Sequence, residues 1–431
     1  MNGVPEFYIM GCRVYENGRI TVRDVLVSEG RYEFTVSYNP DIPAADGRDM
    51  ILAPSFCDLH THLREPGFSE KETIKSGTTA AARGGFTTVC AMPNLNPIAD
   101  DKNIIAGEKK LIKDTALIEV LPYAAITLGE KGETLTDIVS LHEDCCGFSD
   151  DGKGIQNAAL MKQAMLLTAS VGGFIAAHAE DEGLLKQEGA VNDGEASKRY
   201  GLVGMPAAAE YKQVERDLIL AGETNCRYHV CHISAKESVN AVRYAKKTGV
   251  KVTCEVTPHH LALSETDITE DSGRFKMNPP LRSEDDRQEI ISAIADGAID
   301  VIATDHAPHT YAEKAAGLSG SAFGTVGSET AFAVCNTFLV ERGIINYERL
   351  LHMMCDKPRE ILGKKTAPGW VLLDTKTKWK VNPERFLSKG KSTPFEGMEL
   401  TGDVVMTVIN RKVVYFNRGL LHFDSEKKAD S

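Results

Sequence analysis

The order of apolar and polar positions divides the chain into three stretches with different periods. Up to about residue 49, apolar runs at 6–14, 22–28 and 30–36 are separated by turn residues, with Asn17-Gly18 between the first two. That pattern predicts a small β unit. Between Pro54 and Pro308, strand-like apolar runs alternate with helical segments, the signature of βαβ units and a parallel sheet. The runs fall at 53–60, 86–92, 117–126, 146–149, 173–178, 228–232, 250–256 and 299–304. Eight of them, most followed by a helical stretch, predict a (β/α)8 TIM barrel. Ser69-x-x-Glu72 and Ser234-x-x-Glu237 fit capping boxes that would start two helices. An open doubly wound sheet would normally carry a glycine-rich phosphate turn after its first strand, and here that place holds His60 and His62.

Helical patterning continues from residue 324 to about 362, and from 370 to 415 the chain reads as strand again. The two ends therefore read as halves of one small β-sandwich domain flanking the barrel. The expected divisions are 1–52, 53–364 and 365–431, with a charged, loose tail at 424–431.

In a barrel, the C-terminal ends of the strands converge on one face, where active sites form. Here those ends carry His60 and His62, Asn94, Tyr123, Asp150-Asp151, His178, His232, His259-His260 and Asp305-His306. His60 and His62 stand at i and i+2, so a strand points both to one face. A single buried histidine is more often a satisfied core residue than a ligand. Six of eight strands delivering His or Asp to one rim is hard to explain by packing.

Composition narrows the partners. Hydrophobic residues at 42% and charged residues at 26% exclude a disordered or fibrous chain. With 49 Lys and Arg against 61 Asp and Glu, the formal charge is −12 and no basic tract stands out. Nucleic acid and anionic membranes are therefore not expected partners, and an anionic small substrate would have to be met by local cations such as Arg64. Ten cysteines are scattered without paired spacing, and even adjacent Cys145-Cys146 read as small buried fillers. The N-terminal residues lack a basic region followed by a long apolar core, and no apolar run reaches membrane-span length. The expected compartment is a reducing cytoplasm.

The rim residues point to metal chemistry. His60, His62, His178 and His232 offer nitrogen ligands suited to zinc and similar ions, and Asp151 and Asp305 add oxygens. Six ligands are too many for one tetrahedral ion with an open position. Two ions sharing a bridging carboxylate, with a bridging hydroxide as nucleophile, would use them all for hydrolysis at a carbonyl. The competing reading of Asp150-Asp151 is that they cap a turn before Gly152.

Seven motifs carry a family resemblance. They are Asp58-Leu59-His60-Thr61-His62-Leu63-Arg64-Glu65-Pro66-Gly67, Met92-Pro93-Asn94, Phe148-Ser149-Asp150-Asp151-Gly152, Ala177-His178-Ala179-Glu180-Asp181, His229-Val230-Cys231-His232-Ile233-Ser234, Asn278-Pro279-Pro280-Leu281-Arg282 and Ala303-Thr304-Asp305-His306-Ala307-Pro308-His309. In this order they resemble the dihydroorotase family, in the bacterial type I branch of the amidohydrolase superfamily. The resemblance implies reversible cyclisation of N-carbamoyl-L-aspartate to L-dihydroorotate in pyrimidine synthesis. It implies two Zn2+ per chain, with Co2+ or Mn2+ as possible substitutes. His60, His62 and Asp305 would ligate one ion, His178 and His232 the other, and Asp151 would bridge them where several relatives carbamylate a lysine. Lys153 is nearby, but the motif makes the aspartate the ligand. Asp305 would double as general base, Arg64, Asn94 and His309 would hold the substrate carboxylate, and Asn278 would contact the pyrimidine ring. Ring closure consumes a carboxylate and takes up a proton, so low pH should favour the cyclic form.

The chain departs from the family pattern at Ser55, at Ser328 and in a short connection at 363–370, which leaves the geometry of the small domain open. Residues 311–322 fit either a mobile loop over the site or an ordinary βα loop. His259-His260 fit a supporting or packing role better than ligation. Two rival functions are a cyclic-amide hydrolase acting on hydantoins, dihydropyrimidines or allantoin, and a non-catalytic scaffold for aspartate carbamoyltransferase. Asp151, with the Arg64 and Asn94 pair, argues against the first, and the full ligand set against the second. A homodimer and association with aspartate carbamoyltransferase are further expectations.

Overall fold

Ser55 is where the chain passes from one sheet to another. The apolar run at 53–60 does not form one strand: Met50–Pro54 belongs to a sheet built from the two chain ends, and Phe56–Thr61 opens the barrel. The structure, a computed structural model, describes residues 6–35, 37–186 and 189–423, and the tail at 424–431 lies outside them.

Phe56–Thr61 pairs in parallel with Phe86–Ala91, which pairs with Glu119–Pro122. The fourth position is a single residue, Phe148, bridged in parallel to Ala124 on one side and Ile175 on the other. Phe174–Ala177, Arg227–Val230, Val252–Val256 and Val301–Ile302 follow in register. A bridge from Thr61 to His306, with the His62 N–H donating to the His306 carbonyl at 2.9 Å, closes the ring. The eight expected runs are thus the eight barrel positions. Around them lie helices whose buried residues recur at helical spacing, as in Lys236–Lys247, where Val239, Val242 and Ala245 face inward.

Neither expected capping box forms. The first helix, Ile74–Arg83, is capped by Thr73 with Ser76, and Glu72 is instead buried, where it accepts hydrogen bonds from the Ser388 hydroxyl and the Lys389 N–H. Ser234 gives its hydroxyl to buried Glu210, so Lys236–Lys247 starts at Ala235 without a side-chain cap. In both places a buried carboxylate competes for the hydrogen bond that local spacing assigns to the helix end.

The ends of the chain build one eight-stranded mixed sheet from Phe7–Glu16, Arg19–Ser28, Arg31–Phe34, Ala44–Asp46, Met50–Pro54, Gly369–Lys380, Glu399–Ile409 and Lys412–Phe416. Asn17 and Gly18 both take positive φ (50° and 78°), as a two-residue hairpin requires. Met50–Pro54 is apolar at successive positions because both its faces are covered. Ile51 and Ala53, like Val371 and Leu373, join the barrel's core, whereas Met50, Leu52, Trp370 and Leu372 pack with Phe7, Ile9 and Met406. The short connection at 363–368 leaves Lys357–Leu362 through Gly363 (φ 62°) and still delivers Gly369–Lys380 in antiparallel register with Met50–Pro54.

Candidate active site

Asp58 and His60 alternate on the first barrel strand with His62 just beyond it, and period two aims all three the same way. Asp58 is fully buried and clamps the first strand to the end of the eighth. It accepts the Thr304 N–H at 3.0 Å, the Thr304 hydroxyl at 2.6 Å and the His60 N–H at 3.2 Å. Burial pushes its carboxyl up to about 6 despite those bonds. Three residues of the rim have left-handed backbone: Arg64 (φ 61°), His232 (φ 31°) and Asp305 (φ 44°). Non-glycine residues there cost of order 1–3 kcal/mol each, and such strain persists where a site over-determines it.

The six expected ligands come together at the barrel's C-terminal mouth, each no more than 6% exposed. Asp151 stands between them. Its Oδ1 lies 3.3 Å from His60 Nε2 and 4.0 Å from His232 Nε2, and its Oδ2 lies 3.4 Å from His62 Nε2. Asp305 Oδ1 is 3.1 Å from His62 Nε2 and 3.6 Å from His60 Nε2. His178 Nδ1 meets His232 Nε2 at 3.0 Å. Asp150 turns away and accepts the Ile126 and Thr127 N–H groups at 2.7 and 3.0 Å, so of the adjacent pair one residue holds a turn and the other faces the site.

The electrostatics fit a divalent cation. Burial drives His60 down, but Asp151, Glu255 and Asp305 outweigh it and hold the ring protonated well above its ordinary value. Burial pushes Asp151 and Asp305 up, and the surrounding histidines pull both carboxyls below the usual range. Burial, with His178 and His60 nearby, lowers His232 to about 3, which keeps its nitrogens free to ligate. His60 Nε2 and Asp151 Oδ1 are buried without a hydrogen-bond partner among the described residues. Two overlapping groups, His60 with His62 and Asp305, and His60 with Asp151 and His232, bring their donor atoms within 4.8 Å of one another. This mixed nitrogen and oxygen set suits a divalent metal. A third cluster of His60, Cys231 and Glu255 lies on the other ring nitrogen of His60, and burial keeps the Cys231 thiol protonated.

A cavity of about 230 Å³ opens onto this cluster, and Arg64, Asn94, Asn278 and His309 all line it. Arg64 is anchored by its Nε to the Pro308 carbonyl at 3.2 Å, and its guanidinium is 3.3 Å from His309 Nε2. Asn94 spans two expected ligands. It accepts from His62 Nδ1 at 3.0 Å and donates to Asp151 Oδ2 at 3.2 Å. Asn278 gives its amide N–H to Glu180 at 3.1 Å, which leaves its carbonyl oxygen without a partner among the described residues. Lys153 points elsewhere, to the Glu130 carbonyl at 3.4 Å. A larger cavity of about 830 Å³ lies by the terminal sheet at Arg31, Trp370 and Arg411, and no candidate ligand lines it.

Other rim residues take structural parts. His306 turns its ring from the cavity, with Nδ1 accepting the Gly327 and Ser328 N–H groups at 3.2 and 3.4 Å. The His260 ring bridges Thr257 and the Pro279 carbonyl at 2.8 and 2.9 Å. The 311–322 segment forms two short helices, Tyr311–Lys314 and Gly317–Gly320. Buried Lys314 donates to the carbonyls of Lys276, Ala322 and Gly324, and so ties this segment to the wall that carries Asn278.

Residues 49–238 match the Dihydro-orotase-like family. The chain is 44% identical over 420 residues to a dihydroorotase of Fusobacterium nucleatum subsp. nucleatum, covering 95% of this chain and 98% of that one. It is 48% identical over 392 residues to a dihydroorotase of Bacillus caldolyticus, covering 89% and 91%. Among solved structures, the L-hydantoinase (dihydropyrimidinase) of Arthrobacter aurescens superposes with a TM-score of 0.83 over 96% of each chain at 23% identity. The dihydropyrimidinase of Brevibacillus agri NCHU1002 gives 0.81 over 96% of this chain and 95% of that one at 21% identity. The hydantoinase likeness establishes the barrel with its terminal sheet, and the closer sequence kinship decides the rest: the chain belongs to the dihydroorotase family of cyclic amidohydrolases.

Proposed function

We propose that the chain interconverts L-dihydroorotate and N-carbamoyl-L-aspartate at this cavity, with Asp305 as general base. The observation that carries the reading is the convergence of Arg64, Asn94, Asn278 and His309 on the space beside Asp151 and Asp305. His60, His62 and Asp305 would hold one divalent ion and His178 and His232 the other, with Asp151 shared, and zinc suits these donors. Such ions would supply Lewis acidity and make a water nucleophilic near neutral pH.

In the hydrolytic direction, water adds to the ring carbonyl carbon flanked by the ring nitrogen. Asp305 takes a proton from that water at a carboxylate oxygen and returns it to the ring nitrogen as the C–N bond breaks. Ring closure runs the same transfers in reverse. The histidines that keep Asp305 ionised also fix its position, so it begins as a base. Arg64 offers a planar fork to the substrate carboxylate. The free Asn278 oxygen is an acceptor for a ring N–H. A carboxylate-bearing substrate explains the half-buried Arg64 at the cavity wall better than an unsubstituted hydantoin does.

All ten cysteines are buried and unpaired, which supports a reducing cytoplasm. No helix among the described residues is long and apolar enough to cross a membrane. The test is turnover of L-dihydroorotate by purified protein, with metal content measured per chain. Expected are turnover, close to two metals per chain, and a loss of about 10²- to 10⁴-fold in Asp305→Ala, the range that a positioned general base contributes. A metal-loaded protein inert toward both dihydroorotate and carbamoyl aspartate contradicts the reading.

A further inference from the structure

Glu255 and His229 have no place in the chemistry above, yet both are buried in the barrel interior, at 0% and 1% exposure. They lie on adjacent strands, Val252–Val256 and Arg227–Val230. Glu255 Oε1 is 2.7 Å from His60 Nδ1, and its Oε2 is 3.0 Å from His229 Nε2. The His232 N–H also donates to Oε1, at 3.2 Å. On its far side, His229 Nδ1 meets the Thr253 hydroxyl at 2.8 Å. His229 and Thr253 line a separate cavity of about 300 Å³, so the chain of bonds leads away from the catalytic cavity.

Glu255 thus presents one carboxylate oxygen to each of two ring nitrogens, and a carboxylate oxygen accepts hydrogen bonds. Both ring nitrogens facing it therefore carry their hydrogens. His60 meets Glu255 through Nδ1, which leaves Nε2 turned to the side where Asp151 and Asp305 stand. His229 donates from Nε2, which leaves Nδ1 as the partner of the Thr253 hydroxyl.

We propose that His229 is a positioning residue for the metal centre: acting through Glu255, it keeps the His60 hydrogen on Nδ1 and Nε2 turned to the ligand cavity. Without the His229 donor, Glu255 Oε2 would be a buried oxygen with no partner, and the carboxylate would be free to rotate off His60. The inference rests on the reading that His60 holds a metal.

Cobalt(II) is the probe, because its visible absorption reports ligand geometry as well as occupancy. Its affinity is measured by chelator competition in the full chain, beside His229→Leu, His229→Gln and Thr253→Val. His229→Leu is expected to bind Co2+ about 10- to 100-fold more weakly, with an altered visible spectrum. His229→Gln, whose amide N–H reaches toward the Nε2 position, is expected to restore most of both. Wild-type affinity and spectrum in His229→Leu overturn the proposal. So does a loss that glutamine does not restore, since that would assign the effect to packing. If His229→Leu does not fold, Thr253→Val decides: a smaller loss of affinity supports the relay, and wild-type affinity overturns it. An unmodified chain that binds no Co2+ overturns the metal reading itself, and this inference with it.

Discussion

On the proposed reading, Arg64 is the residue on which substrate choice would turn. Its backbone sits at φ 61° and its guanidinium is fixed by Pro308 and His309, so the fork is oriented before substrate arrives. A charged hydrogen bond contributes about 1.5–3 kcal/mol. Arg64→Met should therefore raise KM for dihydroorotate by about ten- to a hundredfold, while metal content stays near that of the unmodified chain. Steady-state kinetics beside metal analysis check this, and an unchanged KM would remove Arg64 from the carboxylate site. The six candidate ligands were legible because each stands at or just past the end of an apolar run, whereas Asn278 and His309 were named only through the family resemblance. Glu255 and Asp58 were not, because they stand inside strands, in Val-Thr-Cys-Glu-Val and Phe-Cys-Asp-Leu-His-Thr. The available signal was a carboxylate in an otherwise apolar barrel strand, at even spacing from a rim histidine in the case of Asp58 and His60. A barrel interior tolerates such a group only when it is fully hydrogen-bonded.

At the scale of elements, periodicity located every barrel strand but not where each stops. The fourth is reduced to Phe148, and the first divides at Ser55, because two sheets share one continuous apolar run and only tertiary pairing separates them. Helix starts were misread where buried Glu72 and Glu210 take the hydrogen bonds. Helix Lys102–Thr115 shows the same tension. Its buried residues are Ile105 and Glu108, so a carboxyl lies on its inner face. Glu108 Oε2 has no partner among the described residues, and burial alone raises its pKa from 4.5 to about 8. The folded chain therefore holds a proton there that the unfolded chain has released. The associated stability is complete below about pH 4.5 and is lost progressively as pH rises to about 8. Glu108→Met should raise Tm, on the order of a few degrees, with a gain that grows from pH 5 to pH 8 and then levels off. A gain independent of pH across that range would show that Glu108 is not neutral in the fold.

Across the whole molecule, the candidate ligands arrive from the ends of the first, fourth, fifth, sixth and eighth barrel positions. Ions held there would join strands far apart in the chain, as His60 and Asp305 are. They would also offset the buried carboxylates of Asp151 and Asp305, which otherwise depend on histidine protons for counter-charge. Ligands that bind only the folded state stabilise it by mass action, by about 2.7 kcal/mol at a free concentration one hundred times Kd. The terminal sheet has its own apolar cluster and contributes none of the candidate ligands. Stripping with a chelator should therefore lower Tm, and Zn2+, Co2+ or Mn2+ should restore it. Hydrogen exchange should quicken at 60–62, 148–151, 229–232 and 303–306, while the strands Phe7–Glu16 and Glu399–Ile409 stay protected. Equal loss of protection in both regions would mean that the metal holds the two sheets together. An unchanged Tm in chain shown to be metal-free would mean that the six side chains are held in place by the barrel alone.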